Sequence, residues 1–408
     1  MKAPKGCGPA IHEGCGPEIH EGLGPANHKA QRPQLGALYA AAAALVGTAA
    51  KGGVLPDDRA DLLYHSYSGG GVTINGTSLL VRKKVGDHVS LVGNWYTDSV
   101  SGASIDVVTQ ASPYKEKRSQ GSLGVDLLLG KATYSAGYIN GSEPDFRSRT
   151  AYASVSEDLF GDLTTITFGA SRGWDKIGER GAPDFKATAD RRNWSVGLSQ
   201  VLTRNLLASL AVETSESEGY LQNPYRQARY LSGDPRGYSY EKEAYPHTRT
   251  GNAFAARAKY YLRWRAALDG NYRYYRDTWG IVAHTAELGY TLPAFHRWVF
   301  DAHARYYRQK QASFYADLFP YQGSQNFLAR DRELAAFKEL GLGFGASWEL
   351  RPRHRGLLQK ATFNLRYDNL RFKYDDFRDL RVQGAAAGTE PLYTLKANVL
   401  QLYVSAWF

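Results

Sequence analysis

The chain has almost no sulfur: two cysteines, Cys7 and Cys15, and a single methionine at position 1 among 408 residues. Everything after Cys15 is therefore without a disulfide framework or a thiolate metal site. Long apolar runs are missing as well. Outside residues 35–50 nothing approaches the ~18 consecutive apolar residues that a membrane helix needs. Apolar spacing at i, i+3, i+4 and i+7 is scarce, which argues against a helical protein. The net charge of +10 is spread thinly, with no block of five or six like charges, so a nucleic-acid arm is a weak reading. What is present instead is 28 Tyr, 42 Gly and many short alternating segments, the composition of an all-β chain.

The segment "KAQRPQLGALYAAAAALVGTAAKGG" from Lys29 has the layout of an export signal. Lys29 and Arg32 precede an apolar stretch from Leu35 to Val46, and small residues offer cleavage after Ala49 or Ala50. Ahead of it stands an eight-residue repeat, "CGPAIHEG CGPEIHEG LGPANHKA". Cys7, His12, Cys15 and His20 have the types of a zinc set. The favoured reading is plainer: upstream DNA translated ahead of the true start, for instance at Leu23, because an export signal belongs at an N-terminus. The expected division is a repeat over 1–27, a signal over 28–50, a periplasmic segment over 51–59 and a barrel over 60–408, with no metal and no cofactor.

From residue 60 onward, apolar and polar residues alternate in segments of about ten, the period of a strand with two unlike faces. Short connections are expected at Gly86-Asp87, Gly130-Lys131, Phe160-Gly161, Thr203-Arg204, Arg263-Trp264, Pro293–Arg297 and Arg351–Gln359. Long ones are expected near 99–118, 174–191, 216–249, 309–334 and 374–393. Tight turns at one end and extended loops at the other mark a transmembrane antiparallel up-and-down β-barrel of the outer membrane. Fifteen segments between Gly71 and Phe408, plus residues 60–67, make sixteen strands, with fourteen as the alternative. Leu400, Leu402, Val404, Ala406 and Phe408 share one face of the last segment, opposite Gln401, Tyr403 and Ser405. That apolar face is expected to meet lipid while the strand closes the barrel, and its aromatic end resembles the signal read by the outer-membrane insertion machinery of Gram-negative bacteria. "YYLRW" and "NYRYYRDTW" are expected to set Tyr and Trp at the membrane–water boundary.

Six stretches are similar to the bacterial family called domain of unknown function 3570. They are "HSYSGGGVTINGTSLLVRKKVGD" (65–87), "YTDSVSGASIDVVTQASPYKEKR" (96–118), "FGDLTTITFGASRGWDKI" (160–177), "GYLQNPYRQARYL" (219–231), "DTWGIVAHTAELGY" (277–290) and "DLFPYQGSQNFLARDRELA" (317–335). The resemblance spans nearly the whole exported chain. It implies an outer-membrane barrel and carries no catalytic residue across.

Chemistry must then be argued from the residues. "GASRG" at 169–173 matches a nucleophile-elbow pattern, but Thr165, Thr167, Gly169 and Ser171 read as the polar face of a strand, not a strand-to-helix turn. "LGLGFG" at 340–345 lacks the helix of a phosphate loop, and its glycines read as room in a crowded interior. Asp375, Asp376 and Asp379 could offer calcium ligands but fit an exposed loop better. His284 falls on an apolar face. Strand parity assigns Arg257, Lys259, Arg273, Arg305 and Arg366 to the interior as cations. Asp126, Glu213, Asp269, Glu287, Asp301, Glu339, Glu349 and Asp368 join them as carboxylates, and His303 lies between Asp301 and Arg305. The interior is thus mixed in charge and gives no ground for anion selectivity.

Sixteen strands ~4.8 Å apart and tilted ~40° enclose a bore roughly 30 Å across between backbones. The leading expectation is a porin-like channel for small hydrophilic solutes. The alternative is a non-conducting barrel that holds a periplasmic or lipoprotein partner of a redox or metal system. A membrane-embedded hydrolase ranks last, and no enzyme is expected. The partners implied are outer-membrane lipid, lipopolysaccharide and the insertion machinery, without nucleic acid; the oligomeric state is not set by the sequence.

Overall fold

The computed structural model describes residues 53–102, 114–352, 356–382 and 384–408. The N-terminal repeat and the export segment lie outside the described residues. Among the described residues eighteen strands form: β1 (Arg59–Gly69), β2 (Val72–Val85), β3 (Val89–Gly102), β4 (Tyr114–Leu129), β5 (Ala132–Ser142), β6 (Phe146–Leu159), β7 (Thr164–Glu179), β8 (Ala182–Thr203) and β9 (Leu206–Gly219). The rest are β10 (Gln227–Leu231), β11 (Tyr238–Lys242), β12 (Thr248–Tyr261), β13 (Ala267–Asp277), β14 (Val282–Ala294), β15 (Trp298–Gln309), β16 (Phe337–Leu350), β17 (Lys360–Arg378) and β18 (Leu392–Trp407). Sixteen of them close into an antiparallel barrel in sequential order, and β10 with β11 forms a separate hairpin.

Closure is made by β1 against β18, in register from Arg59 opposite Trp407 to Gly69 opposite Ala397. No sheet edge is left in the barrel, which matters because an unpaired amide in hydrocarbon costs several kcal/mol. The alternation then sorts the faces. On β18 the side chains of Gln401 and Ser405 are buried at 4% and 1% exposure, while Leu402 between them is 44% exposed. The same holds around the wall: Leu79, Leu123, Phe168, Leu288, Leu342 and Phe344 point outward and are exposed, whereas Asp61, Ser90, Asn193 and Asp368 point inward and are buried. A protein whose outside is apolar and whose inside is polar is solvated by lipid, so this is an outer-membrane β-barrel.

The expected tight turns all lie at one end of the barrel. The other end departs from expectation in one place. Residues 174–191 are not a loop: β7 and β8 run on as paired strands to a turn at Arg180-Gly181, with a register shift at Gly178/Glu179. Alternation persists beyond the apolar band, with Ile177 and Ala189 buried inward and Lys176 and Thr188 exposed beside them, so the pairing continues. The turn between β1 and β2 is two glycines, Gly70 (φ +59°) and Gly71 (φ +79°). A two-residue hairpin needs positive φ at both central positions, and glycine adopts it without steric cost.

Glycines on the inner face do a second job. A Cβ on Gly343 of β16 would sit 1.9 Å from His303 Cε1 and 2.1 Å from Asp368 Oδ1. One on Gly76 of β2 would sit 2.0 Å from Asp98 Oδ1 and 2.4 Å from His65 Cε1. In both places a histidine and an aspartate on flanking strands meet over a glycine on the strand between them. Gly343→Val should therefore lower stability by about 1–3 kcal/mol or more, as overpacking does. Gly270, with nothing within 4 Å of its Cβ position, is the control: Gly270→Ala should be nearly silent. The temperature at which the folded band converts to the unfolded band on a semi-native gel reports both.

Candidate functional site

The interior wall is built from register. His303 on β15, Gly343 on β16 and Asp368 on β17 stand opposite one another. His65, Gly76 and Asp98 do the same on β1, β2 and β3. His303 Nε2 is 2.9 Å from Asp368 and His65 Nε2 is 3.0 Å from Asp98. Arg366 approaches His303 at 3.1 Å, and the Tyr96 hydroxyl donates to Asp98 at 2.6 Å.

The predicted interior charges fall mainly into pairs. Arg305 donates to Glu339 at 2.6 Å, Arg273 reaches Glu213 at 3.4 Å, and Arg257 lies 3.5 Å from Asp269. Lys259 stands opposite Asp269 in register, and Glu287 opposite Arg305. Asp301 lies over Gly345, where a Cβ would meet its carboxylate. Asp126 accepts from Arg82 and, at 2.6 Å, from Ser135 Oγ. Glu349 pairs with Arg351 at the turn end. Further inward pairs lie outside the expected set, notably Arg191 with Asp175 at 2.6 Å and Arg249 with Asp277 at 2.6 Å. The signal for both was available: they continue the inward face of strands that run above the apolar band. Between the charges, β2 to β9 carry small hydroxyls and amides, including Asn94 donating to Ser78, Ser156 against Thr167, and Ser199 against Ser209, while toward the loop end the same wall also buries Val72, Ile74, Val100, Ile139 and Phe146.

Over the loop end sits a cap built in part from the long loops around Tyr220–Tyr230 and Phe314–Arg330, whose wealth of Tyr, Phe, Asn, Gln and Arg suits a binding surface, a constriction or simple packing on neighbouring loops. It is formed by the segments between β9 and β12, β15 and β16, and β17 and β18. Backbone bridges lace the first two together, Tyr230 with Phe319 and Ala244 with Leu328. Arg229, at 0% exposure, is the central tie: it donates to Glu390 Oε1 at 2.6 Å, to the Asp317 carbonyl at 2.9 Å, and to the Asp317 carboxylate. Arg330 reaches Asp317 at 3.0 Å and the Arg378 carbonyl at 3.1 Å, and lies over the Phe377 ring. Arg226 pairs with Asp331 at 3.0 Å. An aromatic core joins this cap to the wall, with Trp279, Tyr245, Phe314, Phe337, Tyr374, Phe377 and Tyr393 all buried. Trp279 was expected at the membrane boundary; it is buried instead, donating to the Thr248 carbonyl and edge-on to Tyr245 and Phe314. Trp264 does lie exposed in the turn between β12 and β13, donating to Tyr290.

Three weaker candidates resolve differently. Ser171 lies mid-strand, opposite Tyr152 and Asn193, not on an elbow. Asp375, Asp376 and Asp379 diverge to Lys338, the Ala336 amide and Arg381. Among the described residues no group of three His, Cys, Asp or Glu is placed to hold a metal. His284 is outward, 2.8 Å from the Tyr272 hydroxyl. Leu400, Leu402, Val404 and Ala406 share the outward face, and Lys83 Nζ lies 5.1 Å from the Phe408 ring.

Residues 35–193 and 184–403 match the family described as "Protein of unknown function (DUF3570)". The chain belongs to that family. No curated protein matches it. Among solved structures, a bacterial polysaccharide outer membrane secretin is 9% identical at a TM-score of 0.43, over 87% of this chain and 100% of that one. OmpT of Vibrio cholerae is 10% identical at 0.41, over 86% and 97%. OccK2 (OpdF) of Pseudomonas aeruginosa, in complex with glucuronate, is 11% identical at 0.40, over 87% and 100%. Likeness at this level says nothing of what the DUF3570 barrel binds or passes.

The cap carries its own titration. Burial, reinforced by the nearby Asp331 carboxylate, pushes the Glu243 carboxyl up from its ordinary 4.5 to about 7. Burial would also raise Glu390, but the Arg229 guanidinium overrides it and holds that carboxyl below its usual value. Because the closed cap keeps Glu243 protonated where an open one releases the proton, this contribution to closure is complete below pH ~4.5 and is lost as pH rises through about 7. Amide exchange of residues 226–244, corrected for its intrinsic pH dependence, should therefore speed up from pH ~5 to ~8 in the wild type and lose that trend in Glu243→Gln. Arg229→Ala, which leaves the buried Glu390 carboxylate without its arginine while Asp317 keeps Arg330, should destabilise the same region by about 3 kcal/mol at fixed pH.

Proposed function

We propose that the protein is a capped diffusion channel for small hydrophilic solutes, not an enzyme. The observation that carries this is the hydroxyl- and amide-lined wall of β2–β9 beneath the cap. Short polar side chains occupy less of the bore than apolar ones would and, although those packed on the wall such as Ser90 and Asn193 are themselves buried, a polar lining favours water along the axis over a filled apolar core. Paired interior charges then give a bore without strong selectivity for either sign. The cap supports a low resting conductance, because loops that bury arginines against carboxylates leave little free section at the mouth.

A second reading draws support from the same cap. Its aromatic core resembles a seal, and a sealed barrel serves as an anchor for a periplasmic or lipoprotein partner.

Planar-bilayer recording separates the two. The channel reading expects small ohmic steps from the wild type, at least about twofold larger steps from Arg229→Ala, and reversal potentials near zero in a salt gradient. Silence from folded wild type and folded Arg229→Ala alike overturns it and leaves the anchor.

A further inference from the structure

The outward face of β15–β18 carries an arrangement that the channel reading does not use. Arg308, Lys338 and Lys373 occupy one register row on three adjacent strands. In the next row toward the turn end, Arg371 of β17 stands opposite Lys396 of β18. Facing residues on neighbouring strands have Cβ atoms about 4.5–5.5 Å apart, and like charges placed so are destabilising. The protein compensates only part of this: Lys338 lies 3.2 Å from Asp375, and Arg371 donates to Asn369. Arg308, Lys373 and Lys396 are exposed.

The height of the patch identifies what meets it. It lies toward the loop end, and the outward positions below it turn apolar, with Leu342 and Phe344 about half exposed. Just below the cations, Asn398 accepts from the Tyr367 hydroxyl and from Asn369, both at 2.8 Å, a polar ladder at the same edge. Cations, then amides and a tyrosine, then hydrocarbon-facing side chains form the profile of an anionic headgroup above acyl chains. At the loop end of the barrel that headgroup belongs to the outer leaflet.

We propose that this face is a binding site for the phosphorylated glycolipid of the outer leaflet, its phosphates held by Arg308, Lys338, Lys373, Arg371 and Lys396. The site needs only the outer-membrane location and is independent of whether the barrel conducts.

The test is native mass spectrometry of the full-length protein in detergent, titrated with purified diphosphoryl lipid A. The variant is Arg308→Gln, Lys373→Gln and Lys396→Gln together, three exposed positions whose loss leaves the barrel's inward packing intact; the folded band on a semi-native gel checks this. The wild type should retain lipid A, and the triple variant should bind one fewer molecule or bind roughly tenfold more weakly. Dephosphorylated lipid A should lose the preference for wild type. Equal binding to wild type and a folded triple variant overturns the site. Equal competition by phosphatidylglycerol overturns the assignment to the glycolipid. Should the triple variant misfold, Lys396→Gln with Lys373→Gln alone must still lower lipid A retention, or the proposal fails.

Discussion

A backbone amide that faces hydrocarbon has no water to turn to, and in this protein every other feature follows from meeting that demand with closed pairing. The β1–β18 seam, in register from Arg59 to Gly69, removes the last open edge. Once the sheet is closed, each strand has a lipid side and an enclosed side. Alternation then decides every residue's environment two at a time. One register slip would turn Gln401 and Ser405 to lipid and Leu402 to the interior.

Closure also creates the interior's problem. Charged and polar side chains turned inward lose bulk water, so they must find partners across the wall. They do so mostly between neighbouring strands: arginine to carboxylate, hydroxyl to hydroxyl, and histidine to aspartate over a glycine that leaves them room. Such pairs contribute modestly to net stability, but breaking one leaves a buried charge without its partner. They hold the wall in one arrangement more than they add to its free energy.

The cap obeys the same rule with longer reach. Arg229 and Glu390 are separated by 161 positions in the chain, yet share two hydrogen bonds in a site without solvent. Around them the aromatic side chains of three loops and several strand ends merge into one core. The outer mouth is thereby a folded unit with its own stability and its own proton linkage. It rests on a wall whose strands are already paired all the way round.

What the sequence by itself determined is the wall. A two-residue period, tight turns such as Gly130-Lys131 and an amphipathic last strand suffice for sixteen strands closed into a barrel, because in a barrel a residue's neighbours follow from parity and order. Residues 174–191 read as a long polar loop, yet outward polar positions such as Lys176 and Thr188 alternating with inward Ile177 and Ala189 keep a strand going beyond the apolar band. Trp279 was misplaced because a tryptophan beside a strand end reads the same whether it faces lipid or folds inward. Only the tertiary structure decided how the cap is tied together. The contacts of Arg229, Asp317, Arg330 and Glu390 join segments far apart in the chain that have no common period. The composition of the loops around Tyr220–Tyr230 and Phe314–Arg330 leaves surface, constriction and packing all open, and which side chains pair is chosen by three-dimensional packing and desolvation.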